Sequence, residues 1–230
     1  MIDKLVTLYR KAEMGVISGL SGASADAINE NNFYDVGYIQ SQISGIQKEL
    51  EQITSNLQVS LETEDDSASV KKYRSELMEQ REQLLLHMIF LASNSFGNLD
   101  DCIKLAEGHN FAFMQCVNGL QEYRAGKKDR AFELIESYYR KYGSVEEHFL
   151  VNKVFGILLI KKEKYDKAVP FLTYALQFIP DDIECLNNLK ICYQMENQTD
   201  RKLVVDEILA ILSLWEASYE QGKLHTYQTE

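Results

Sequence analysis

The residues of this chain that could do covalent or metal chemistry are scattered. Gly19-Leu20-Ser21-Gly22-Ala23 has the outline of a nucleophile elbow, but alanine stands where the final glycine belongs and no strand pattern precedes it. The segment reads as a loop. The histidines His87, His109, His148 and His225 share no H-E-x-x-H or other paired spacing, and each reads as a surface or part-buried helical residue. Cys102, Cys116, Cys185 and Cys192 form no C-x-x-C pair and sit inside apolar helical patterns, so they read as small core residues in a reducing compartment. No glycine-rich phosphate loop is present, and no acid and base assemble into a constellation. The expectation is a protein that is not an enzyme and holds no metal or cofactor.

Composition points toward a helical binding protein. Hydrophobic residues make up 45% of the 230 positions, enough for a packed core. Pro170 and Pro180 are the only prolines, a scarcity that suits long helices. A net charge of −11 repels phosphate backbones and argues against general nucleic-acid binding. Lys127-Lys128 and Lys161-Lys162-Glu163-Lys164 read as solvated helix ends rather than as a basic patch. No apolar run reaches the roughly 18 residues that a membrane span needs. Asp3 and the charges at 10, 11 and 13 make a poor signal peptide, so the expected location is cytoplasmic.

Periodicity supplies the elements. Residues 2–18 read as a first helix, followed by a small and polar loop that runs to Asn32. From 33 to 61, Val36, Ile39, Ile43, Ile46, Leu50, Ile53, Leu57 and Leu61 recur at spacings of 3, 4, 3, 4, 3, 4 and 4, a coiled-coil seam. An acidic connection, Glu62–Ser67, interrupts it, and Ser67 or Ser69 is placed to cap the next helix. The pattern resumes over 68–94 through Val70, Tyr73, Leu77, Gln80 or Arg81, Leu84, Met88 and Leu91. Two heptad helices of matched length favour an antiparallel hairpin, with a homodimer through either helix as the alternative. The region 1–95 is thus expected to be one N-terminal domain. Beyond it, Asp100–Glu107 reads as a short helix ended by Gly108, and helix pairs follow at 112–125 with 128–141, 149–161 with 165–178, and 183–195 with 200–217, leaving 218–230 as a tail.

The middle pair, 149–182, resembles a tetratricopeptide (TPR) repeat, a helix–turn–helix unit of about 34 residues. Phe155-Gly156, Leu159, Tyr165, Ala168, Leu172, Ala175 and Pro180 fall in order on the family's large, small and terminating positions. The preceding unit, about 112–142, keeps Gly119, Gly126 and Ala131, but has Asn118, Glu122 and Tyr138 at apolar or small positions. The following unit, 183–217, keeps Leu186, Leu189, Tyr193 and Leu209, but has Lys190, Lys202 and Asp206 where small or apolar residues are usual. Terminal repeats of a stack are often atypical. The resemblance covers about half the chain. It implies an all-α fold in which an N-terminal coiled-coil hairpin precedes a short right-handed TPR-like solenoid.

The resemblance also implies a groove. In TPR arrays the first helix of each pair lines the concave face, at positions one, four, eight and eleven residues after its start. Carried over, these are Phe113, Cys116, Leu120 and Tyr123, then Leu150, Lys153, Ile157 and Ile160, then Glu184, Asn187, Ile191 and Gln194. Lys153, Asn187 and Asn188, with Lys161 at the edge, are too few donors for a carboxylate clamp. A mainly apolar lining fits an extended or helical apolar segment of another protein. In architecture the chain is similar to the small acidic TPR chaperones of type III secretion, which are shorter and lack so long a hairpin. The expected function is a chaperone or adaptor, and the alternative is an assembly protein that oligomerises through the hairpin.

Overall fold

A computed structural model describes the backbone of residues 36–63, 67–143, 145 and 148–227, with side chains described from 40 to 214. The expected helix at 2–18 and the Gly19–Ala23 loop lie outside the described residues. Among the described residues the chain is all-helical, with nine α-helices, one 3₁₀ turn and no strand. It divides into two compact units that part between Val151 and Asn152. From sequence, a change of organisation is expected at 95 instead.

In the first unit, α1 (Val36–Glu62) and α2 (Ala68–Ala92) pack side by side. Ile46 and Leu57 of α1 and Leu77 and Met88 of α2 are buried. Ser67 caps α2, its Oγ accepting from Val70 N at 3.4 Å. Near the connection the packing stripe departs from the expected one. Leu61 is 61% exposed and Tyr73 is 47% exposed, whereas Ser60 is buried and Arg74 is half-buried. The physical reason is register. A strict alternation of 3 and 4 leads from Leu57 to Ser60, so the final step of 4 to Leu61 overshoots the stripe. Ser60 then brings a hydroxyl into the contact, and Arg74 satisfies it. The guanidinium donates from Nε to Ser60 Oγ at 2.9 Å and from Nη2 to the carbonyls of Ser60 and Thr63. It thereby caps the C-terminal end of α1 with a cation, where carbonyls lack partners and the helix dipole favours positive charge.

A 3₁₀ turn, Phe96–Asn98, leads into the short α3 (Leu99–Leu105), which buries Leu99 and Cys102. Next come α4 (Met114–Arg124) and α5 (Lys128–Tyr142), which pack closely on each other. Arg124 and Gln121 of α4 both donate to Asp100 Oδ1 of α3, at 2.7 and 2.6 Å. The Arg124 guanidinium holds that carboxyl below the ordinary carboxylate range.

Helix α6 (Phe149–Lys161) crosses the division between the units. Beyond it lie α7 (Tyr165–Phe178), α8 (Ile183–Met195) and α9 (Thr199–Tyr227). The last helix continues past the expected end at 217. Pro170 lies within α7 at an exposed position, where the carbonyl it leaves without an amide partner can meet water. Within the second unit, α8 packs against both α7 and α9.

One contact recurs at equal spacing in the helix pairs. An added Cβ at Gly119 would lie 2.6 Å from Ile135 Cγ1, and one at Gly156 would lie 2.7 Å from Leu172 Cγ. In both pairs the glycine precedes its partner by 16 residues, and only the absence of a side chain admits so close an approach. At the same offset in the third pair, Lys190 Nζ meets Asp206 Oδ1 at 2.5 Å, and Lys202 Nζ meets Asp206 Oδ2 at 2.6 Å. An ion pair there stands where the other pairs bring glycine against an aliphatic side chain.

Candidate partner-binding face

The inward positions inferred for the first helices do not share one environment. Phe113, Cys116 and Leu120 on or beside α4 are buried, and so are Leu150 and Ile157 on α6. Tyr123 is half-buried and stacks on Phe96 with ring centroids 6.1 Å apart. Ile160 is half-exposed and Lys161 is exposed. On α8 the environment opens: Glu184, Asn187, Ile191 and Gln194 are exposed and Asn188 is half-exposed.

Burial at α6 follows from its sequence. From Phe149 to Ile160 only Asn152, Lys153 and Gly156 interrupt apolar residues, so the helix is apolar all round and is covered all round. An inward position on such a helix is core. In α8, by contrast, Cys185, Leu186, Leu189, Cys192 and Tyr193 make a buried stripe, and the opposite side stays in solvent. On that open side Ile183, Asn187, Ile191 and Met195 recur every four residues, which places them in one row along the helix. Ile183 is 42% exposed, Ile191 44% and Met195 53%. Asn187 and Gln194 add amide donors and acceptors to the same side. Such a row offers apolar contact with a few polar points of registration.

Lys153 illustrates how a candidate donor is already engaged. Its ammonium lies 2.7 Å from Asp182 Oδ2 and 2.9 Å from Glu184 Oε2. Asp182 is also the N-cap of α8, its Oδ1 accepting from Cys185 N at 2.7 Å. Burial works against the Lys153 charge, but the two carboxylates outweigh it and hold the ammonium above its ordinary range. The lysine therefore ties the start of α8 to α6. Asn188 is similarly occupied, donating from Nδ2 to the Glu184 carbonyl at 2.8 Å.

His148 departs from the surface or part-buried helical role expected of it. It is fully buried just before α6 and caps that helix: Val151 N donates to its Nδ1 at 3.1 Å. Since Nδ1 accepts, the proton of the neutral ring sits on Nε2, which donates to Ser93 Oγ at 2.9 Å. Ser93 Oγ in turn donates to the Phe90 carbonyl at 3.2 Å. Phe90 and Phe113 pack on the imidazole with centroids 5.0 and 5.3 Å away. Burial depresses the imidazole pKa to about 3. Phe113 is thus an anchor of this aromatic cluster. The available signal for His148 is its place directly before the apolar run that starts at Phe149.

All four cysteines are buried free thiols, and burial raises every one of them, Cys102 to about 11 and Cys192 to about 12. No cluster of three metal-ligating side chains occurs among the described residues. No described helix is long and apolar enough to cross a membrane. Comparison with protein-family models, with curated proteins and with solved structures gives no match.

Proposed function

We propose that this chain is a protein-interaction module, an adaptor or chaperone built from a coiled-coil hairpin (α1–α2) and a short TPR-like solenoid (α4–α9), and that it holds an apolar segment of another protein. The repeat reading is supported by the equal 16-residue offset of Gly119–Ile135, Gly156–Leu172 and Lys190–Asp206. Binding is carried by one observation, the open row Ile183, Asn187, Ile191 and Met195 on α8. Large apolar side chains aligned on one helix face and left in water mark a contact for another chain. The buried, unreactive thiols fit a reducing compartment such as the cytoplasm.

Affinity capture from the native host with the wild-type chain and with an Ile191→Asp/Met195→Asp double variant tests the reading. A protein retained by the wild type and lost with the double variant, whose circular dichroism stays helical, is the expected outcome. Equal retention by both chains would remove α8 as the binding face.

A further inference from the structure

A second apolar surface lies on the α1–α2 pair, and it fits a different occupant. Leu57, Leu61 and Met78 line an open cleft of about 540 Å³ between the two helices, with Glu62, Arg81 and Glu82 at its rim. Leu61 lies outside the packing stripe because of the register step described above, and Met78, which is 50% exposed, faces the same cleft. Their exposure therefore follows from how the two helices are registered.

We propose that this cleft is a self-association surface whose occupant is the same cleft of a second copy. One charge observation favours a second copy over an unrelated protein. A two-fold contact needs one patch to supply both halves of every interaction. This rim carries both signs: Glu62 and Glu82 are carboxylates, Glu82 also meeting His109 Nδ1 at 2.6 Å, and Arg81 has no hydrogen-bond or ion-pair partner among the described residues. Two copies that meet there each contribute apolar side chains and a cation to the other's carboxylates. This surface is separate from the α8 row, so it stands or falls independently of partner binding.

Sedimentation equilibrium of the full chain over a wide concentration range tests the proposal. The wild type should show a monomer–dimer equilibrium. Met78→Glu and, on the other helix, Leu61→Glu should each weaken it at least about tenfold, since each places an acid in the apolar centre of the contact. Arg81→Glu should weaken it too. Tyr73→Glu, exposed on α2 but outside the cleft, should leave it unchanged. A wild type that is monomeric throughout overturns the proposal, whether some other segment or another protein covers the cleft. A dimer that survives both Met78→Glu and Leu61→Glu, or that Tyr73→Glu disrupts equally, overturns it as well.

Discussion

Two glycines and one histidine carry much of the structural logic at the residue scale. Gly119 and Gly156 exist as glycines because an aliphatic side chain from the facing helix occupies the space of a Cβ. Gly156→Ala should therefore cost about 1–3 kcal/mol, the usual penalty for overpacking, although alanine is the better helix former. Thermal unfolding measures it. Combining it with Leu172→Ala should cost less than the sum of the single changes, because the smaller partner makes room for the added methyl. His148 produces a pH effect whose sign is fixed. The buried ring is held neutral, with its pKa at about 3 against about 6.5 in an unfolded chain. Between those values the unfolded chain binds the proton and the folded one does not. Its contribution is complete above pH 6.5 and is lost as pH falls, at up to about 1.4 kcal/mol per pH unit. Urea unfolding at pH 7, 6 and 5 should show this slope, and His148→Gln should flatten it.

Between α1 and α2, two neighbouring residues on one helix should behave oppositely. Tyr73 is exposed, and Arg74 closes the end of α1 through Ser60 and Thr63. Tyr73→Ala should change stability by less than about 0.5 kcal/mol, as exposed substitutions do. Arg74→Ala should cost about 1–3 kcal/mol, the range for hydrogen bonds made by a charged group. Chemical denaturation of the two variants separates the observed register from the one in which Tyr73 faces α1. Periodicity makes the helices themselves legible, as α1, α2 and α6 through α8 show, and turn chemistry makes Ser67 legible as a cap. A run of apolar residues marks a stripe but does not say what lies against it. That is why Leu120 and Ile157, readable as groove lining, are core residues, and why Leu61, readable as core, is in water. A buried capping histidine such as His148 has no spacing signature.

At the scale of the whole molecule, the proposed reading gives the α1–α2 cleft to a second copy and the open row on α8 to a foreign apolar segment. An acidic chain gains from such a division, because its general surface repels anionic macromolecules while its apolar rows remain selective. The partner-binding claim is tested most directly by photocrosslinking. With a photoreactive residue at position 187, in the middle of the α8 row, irradiation in host extract should give one discrete adduct to another protein. Ile191→Asp in the same chain should abolish that adduct. Placing the probe at exposed position 167 on α7 should give none. No adduct from position 187, or the same adduct from position 167, would contradict the α8 face as the site where this protein holds its partner.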